Sequence, residues 1–151
     1  MRLRKPKAIR SGAALLEGAV VFGVFMTLVL GMLDLGIGVF RYHLVSEAAR
    51  QGARQAIVHG KLAPPQQAQW GPTTIDVTAN TTGVPLVDAI KPFLVGFDLS
   101  QTHVKAEWID GGGDPDMRVR VTVSCPYQPF ITSIFRNPYN LSASSTMLIT
   151  H

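Results

Sequence analysis

The chain has 151 residues, a length that suits one domain and excludes two large ones. Lys and Arg number 14 against 10 Asp and Glu, but five of the basic residues fall in the first ten positions, which contain no acid. The excess positive charge is therefore an N-terminal tag rather than a basic folded face, and no nucleic-acid partner is predicted. The single cysteine excludes an intramolecular disulfide and leaves the redox compartment undetermined.

A long apolar segment follows the basic tag. Between Glu17 and Asp34 the sequence reads GAVVFGVFMTLVLGML without a charge, and the apolar character then continues to Phe40. As one helix, residues 18–40 would extend about 35 Å at ~1.5 Å per residue, enough to cross a bilayer core of about 30 Å with some tilt. The preceding basic residues predict a cytoplasmic N-terminus and a periplasmic C-terminal part.

An ordinary secretory signal peptide also begins with basic residues and an apolar run. Its apolar part is shorter and ends at an A-x-A-like cleavage site, whereas this run is long and is followed by a polar segment without such a site. We therefore expect the segment to remain in the mature protein. Asp34 is expected to be hydrated near the outer interface, but Glu17 lies at membrane depth, where a carboxylate usually has a partner.

The start of the span follows a known pattern. Residues 10–17 read RSGAALLE, which resembles a type IV prepilin leader: a short basic peptide ending in Gly, then an apolar helix with Glu at the fifth mature position. In that family a membrane-embedded aspartyl peptidase cuts after the Gly. The resemblance implies cleavage between Gly12 and Ala13. It also implies that Glu17 helps to align subunits by pairing with a neighbour's N-terminal amine, since each charge lowers the cost of placing the other in the bilayer.

Three sequence segments, taken in order, indicate a more specific family resemblance. RSGAALLEGAVV is followed by GMLDLG and then by AARQGARQA, and this order is similar to the TadE/TadG-like family, pseudopilin-like proteins of the tight-adherence (Flp) pilus system. The similarity covers roughly residues 10–58. It implies the partners of that system, namely a prepilin peptidase, other pilins or pseudopilins, and the inner-membrane assembly platform, together with membrane lipid.

The same helix is predicted to continue beyond the membrane to Val58, because apolar and small side chains recur at three- and four-residue spacing. Inside the membrane, packing of small residues against neighbouring pilins is favoured. In the outer half, packing against a neighbour and packing against the chain's own globular part both remain open. The predicted packing residues are Ala14, Gly18, Ala19, Gly23, Ala49, Gly52, Ala53 and Ala56.

Gly60 and the Pro64-Pro65 pair are predicted to end the long helix. A short amphipathic helix is predicted over 85–94, with Pro92 near its end. The glycine-rich sequence DGGGDPD predicts a hairpin turn between two of three expected strands. The strands are predicted over 102–109, 117–124 and 141–150.

These elements predict an α+β, pilin-like fold, with a long N-terminal helix that is transmembrane in its first half, a short helix and a small antiparallel sheet. Residues 1–12 form a basic prepilin-type leader, 13–58 the transmembrane and extended helix, and 59–151 a small periplasmic domain.

No metal or cofactor site is predicted. The four histidines share no metal-ligand spacing. Asp110, Asp114 and Asp116 could offer oxygens to calcium, but their spacing does not match an EF-hand loop, and a glycine-rich turn explains them without a metal. Cys125 is interpreted as a small buried residue, with pairing to another chain as the alternative.

The resemblance therefore implies a minor pilin or pseudopilin that is anchored in the inner membrane, takes part in pilus assembly and catalyses nothing. Its place in the pilus is left open. The competing interpretation is an unprocessed, single-pass anchored binding module that does not polymerise. A membrane-tethered enzyme is disfavoured, since no catalytic motif occurs in the sequence.

Overall fold

The computed structural model of the chain describes residues 9–64, 69–129 and 139–150, with side chains from Gly12 onward. Most of the predicted leader lies outside the described residues, and so does Pro65. The chain divides into two compact units, Met1–Ile37 and Gly38–His151. The outer part of the long helix therefore belongs with the sheet as one compact unit.

Helix α1 runs from Ile9 to Ile57, which confirms that the apolar segment and the segment after it form one helix. The sequence contains no proline between Pro6 and Pro64, so every residue of α1 carries the backbone N–H that the helix needs. The hydroxyl of Thr27 donates to the carbonyl of Gly23 at 2.9 Å. This polar side chain in the apolar run is thus satisfied within the helix, as a low-dielectric surrounding requires.

The first unit presents apolar side chains outward. Leu15 is 76% exposed, and only 6% of the most apolar 18-residue stretch of α1 is buried. A helix of this composition in the core of a water-soluble protein would be mostly buried, because apolar area is driven out of water. The helix is long and apolar enough to cross a membrane, which is compatible with the predicted single-pass anchor.

The prediction for Asp34 was wrong. Its side chain is buried, with 7% of its surface exposed, rather than hydrated. Position along an apolar run does not reveal this, because only the facing direction on the helix decides whether solvent reaches the carboxyl group.

The second unit contains a four-stranded antiparallel sheet, which confirms the α+β fold. The strands follow the order β1-β2-β3-β4, and each pairs with its neighbour in the chain. The predicted hairpin joins β2 to β3, with Trp108 opposite Val119 beside the turn. Strand β1 was not predicted. The strands are β1 (Ile75–Thr78), β2 (His103–Trp108), β3 (Arg118–Tyr127) and β4 (Tyr139–Leu148).

The predicted short helix is divided at its C-terminal part. Helix α2 covers Pro85–Ile90, and a 3-10 helix, Lys91–Leu94, continues it. Pro92 has no N–H to donate to an α-helical carbonyl four residues back, which accounts for the change of helix type. Leu86, Ile90 and Leu94 are buried, so the predicted apolar face persists through both segments.

The outer half of α1 packs on its own domain, which is one of the two alternatives that the sequence leaves open there. A Cβ placed on Gly52 would lie 3.0 Å from Cγ1 of Val121 on β3 and 3.3 Å from Cγ2 of Ile90 on α2. Glycine at this position lets the helix backbone approach the sheet closely. The buried small residues of this face are Ala48, Ala49, Gly52, Ala53 and Ala56.

Candidate functional site

The predicted cleavage position lies in the first turns of α1. Gly12 is exposed, and a Cβ placed on it would meet no atom within 4 Å. The residue makes no side-chain packing there and has low helix propensity, so a local opening of this first part of the helix has a low energetic cost. Ala13 follows it and is also exposed. The Gly12–Ala13 bond is therefore sterically accessible.

Glu17 lies one turn further along α1 than Ala13, about 6 Å by the helical rise, and on a neighbouring part of the helix surface. Its side chain is exposed. It borders a shallow, open depression that is also lined by the small residues Ala14 and Gly18 and by larger apolar side chains. The larger residues are Val21, Phe22 and Phe25.

The small residues in the membrane half of α1 are free of packing within the first unit. Gly18 and Gly23 are exposed, and a Cβ on either would meet no atom within 4 Å. Ala14 and Ala19 are exposed as well. These residues form two pairs at four-residue spacing, a pattern that allows close approach of a second helix in a membrane. They contrast with Gly52, whose surroundings are already filled.

Two of the three aspartates of the β2–β3 turn, Asp110 and Asp114, take part in separate ion pairs. Oδ1 of Asp110 accepts a hydrogen bond from Nη2 of Arg118 at 2.7 Å, and Oδ2 accepts from the Arg118 backbone N–H at 2.8 Å. These bonds lower the pKa of Asp110 to about 2. Asp114 pairs with Lys61 at 2.9 Å. Among the residues that the structure describes, no group of three metal-ligating side chains comes together.

The interpretation of Cys125 as a buried residue is confirmed. The residue is 2% exposed, and burial raises the pKa of its thiol. A protonated, buried thiol is a poor nucleophile.

A cavity of about 320 Å³ in the second unit was not predicted from the sequence. Arg41 of α1 lies over the rings of Phe97 and Tyr127, with its guanidinium carbon 5.4 Å from each ring centroid. These residues are far apart in the chain, so no local pattern in the sequence could have indicated them. The cavity is lined by Arg41, Phe97, Asp98, Gln101, Thr102, Cys125, Pro126 and Gln128.

Comparison with known proteins gives one family match. Residues 12–54 match the family model described as TadE-like protein, which confirms the resemblance over most of α1, including Gly12, Ala13 and Glu17. No curated protein and no solved structure matches the chain significantly. The match covers residues 12–54, less than a third of the chain, and does not extend to the sheet.

Proposed function

We propose, on the premise that residues 12–54 match the TadE-like family, that this protein is a minor pilin or pseudopilin of a tight-adherence (Flp-type IVb) pilus. It is anchored in the inner membrane by α1, with its N-terminus cytoplasmic and its sheet domain periplasmic. It enters pilus assembly after its leader has been removed. It acts by subunit packing and catalyses no reaction.

The observation that carries the proposal is the exposed surface of α1 within the first unit. Large apolar side chains and small residues are exposed together along it, and the one acid near its start borders a depression lined by Ala14 and Gly18. A plain membrane anchor needs the apolar side chains only. An acid at this depth, beside a surface that a second helix can approach closely, fits a helix that packs against other helices in the bilayer.

The residues act in sequence. A prepilin peptidase cuts the Gly12–Ala13 bond, and the amide nitrogen of Ala13 becomes a protonated amine at the N-terminus of the helix. The carboxylate of Glu17 on a neighbouring subunit pairs with this amine. Each charge alone would be costly inside the bilayer, and the pair removes much of that cost while fixing the axial register of the two helices.

The partners follow from this sequence of events. They are the prepilin peptidase, other pilins or pseudopilins that carry an exposed amine or acid at the same depth, and the assembly platform in the inner membrane.

The burial of Asp34 supports a helix that crosses lipid, because its carboxyl group is not presented to the acyl chains.

The alternative function is an unprocessed anchor for a periplasmic binding module. It predicts that Gly12 and Glu17 can be changed without effect on pilus formation. The two functions therefore differ in what the first turns of α1 are needed for, and not in membrane insertion or in the fold of the sheet domain.

The test is a Gly12→Leu variant in a strain that lacks the wild-type chain. The added side chain has open space in α1, so the fold should be unaffected, whereas a bulky residue beside the scissile bond should obstruct the peptidase. We expect the leader to be retained and surface pili, measured after shearing, to be lost. Gly31→Leu is the matched control, since it makes the same change at another open position of the same helix. Normal piliation with an uncut Gly12→Leu chain would contradict the proposal.

A further inference from the structure

The cavity beside Arg41 has a volume of about 320 Å³ and is lined by this cation, by an anion, Asp98, and by one aromatic ring, Phe97. This volume lies at the lower end of the range for small-ligand pockets, about 300–1,000 Å³. It is polar as well as apolar, since Gln101 and Gln128 also line it. A ligand of the size of one lipid headgroup would fit such a space, whereas a folded peptide would not.

The cation of the cavity contacts two aromatic rings. The guanidinium carbon of Arg41 lies 5.4 Å from the centroid of Phe97 and 5.4 Å from that of Tyr127, which is within the range of cation–π attraction. No salt bridge found among the described residues involves Arg41. Within the described part of the chain its N–H donors have no hydrogen-bond acceptor, and the guanidinium suits a planar, bidentate acceptor such as phosphate.

The anion of the cavity is Asp98. Its Oδ1 accepts hydrogen bonds from the backbone N–H of Ser100 at 3.0 Å and from the Ser100 hydroxyl at 2.6 Å, and Oδ2 accepts from Gln101 at 2.9 Å. These donors lower the pKa of Asp98, so the carboxylate stays ionised at neutral pH. A ligand with negative charge alone would be repelled by it, and a ligand that also carries an ammonium group would not.

The position of the cavity along the chain indicates where such a ligand would be found. Arg41 is the first charged residue after the apolar run of α1. In a helix that crosses the bilayer, this residue comes at the level of the lipid headgroups. Val95, which follows the 3-10 helix and precedes Gly96 and Phe97, is 76% exposed, so an apolar side chain is accessible close to Phe97 in the chain.

We infer that the Arg41 cavity is a binding site for a phospholipid headgroup that carries both a phosphate and a primary ammonium, as in phosphatidylethanolamine. Arg41 binds the phosphate, and Asp98 binds the ammonium. The lipid thereby ties the periplasmic domain to the outer face of the membrane. The inference rests on the membrane-spanning role of α1 in the proposed function and does not depend on leader cleavage or on Glu17.

The experiment uses the full chain in nanodiscs of phosphatidylcholine with equal small amounts of phosphatidylethanolamine and phosphatidylglycerol. The protein is released gently, and retained lipids are counted by native mass spectrometry. We expect phosphatidylethanolamine to be retained in preference to the other two lipids. Arg41→Gln should reduce this retention about tenfold, because it removes a charge-assisted hydrogen bond. Asp98→Asn should shift the preference toward phosphatidylglycerol.

Arg54→Gln is the matched control, since Arg54 is an exposed arginine of the same helix outside the cavity, and its lipid retention should equal that of the wild type. Retention without preference for phosphatidylethanolamine, or equal retention by the Arg41→Gln chain, would overturn the inference. If Arg41→Gln unfolds, which circular dichroism would reveal, the preference change in Asp98→Asn decides the result. Failure of the wild-type chain to enter the nanodisc bilayer would instead count against the proposed function.

Discussion

A strain that carries only the Glu17→Ala chain is expected to keep the protein in its inner membrane and to assemble no pili that contain it. The substitution leaves the neighbour's N-terminal ammonium unpaired in the bilayer. Removing one partner of a buried ion pair costs about 3–5 kcal/mol, which corresponds to a subunit association weakened by at least about a hundredfold. Pili recovered by shearing, together with the amount of the chain in the membrane fraction, measure the two parts of this result.

Glu17→Gln removes the charge and keeps the shape of the side chain. We expect that this chain also fails to assemble into pili. The control is Glu47→Ala on the same helix, where the acid pairs with Arg50 across 3.5 Å on an accessible surface. Exposed pairs of this kind contribute about 1 kcal/mol at most, so piliation should be normal. If the Glu17→Ala chain assembled as efficiently as the wild type, ion pairing at this position would have no role in assembly.

Gly52→Leu is expected to destabilise the second unit severely. A Cβ alone would already lie 3.0 Å from Val121 and 3.3 Å from Ile90, so the rest of a leucine side chain must force the helix away from the sheet. Overpacking of this kind costs about 1–3 kcal/mol and occasionally more, partly offset by about 1 kcal/mol of helix propensity. Because a leucine is much larger than a Cβ, we expect a net loss at the upper end of this range, about 2 kcal/mol, seen as a fall in Tm of roughly 8 °C by the scaling for small domains.

Gly36→Leu provides the comparison, because a Cβ there would meet no atom within 4 Å and the same helix receives the same side chain. Its thermal unfolding in detergent should match that of the wild type. Gly52→Ala should fall between the two, since its single methyl group needs only small shifts of its neighbours. Equal stability of the Gly52→Leu and wild-type chains would mean that α1 does not pack on the sheet at this position.

Much of the fold was predictable from local patterns. The charge-free run and the small-residue spacing predict α1 almost to its observed end at Ile57. The glycine-rich turn predicts the β2–β3 hairpin, and in β3 the alternation of Val119, Val121 and Val123 with more exposed residues is confirmed. In each case the residues that decide the structure are close together in the sequence.

The errors occur where local patterns are short or weak. Strand β1 has four residues and gains its stability from pairing with β2, which its own sequence does not reveal. Strand β4 begins at Tyr139, two residues before the predicted start, and ends at Leu148. Its serine, threonine and alanine side chains differ little between the two faces, so the alternation fixes its limits poorly.

The candidate sites differ in the same way: one is visible in a local sequence pattern, and the other depends on tertiary contacts. The Gly12, Ala13 and Glu17 pattern lies within one and a half turns of helix and is visible in the sequence. The cavity depends on Arg41, Phe97 and Tyr127, which the fold brings together from α1, from the loop after the 3-10 helix and from the end of β3. Only the packed structure shows that these three residues meet.

The most direct test of the proposed function is the intact mass and the N-terminal sequence of the membrane-bound protein, produced together with its cognate prepilin peptidase. The processed pilin is predicted to have lost residues 1–12 and to begin at Ala13. A chain that keeps its basic leader in the presence of an active peptidase would contradict the account and would leave a single-pass anchor with a periplasmic domain.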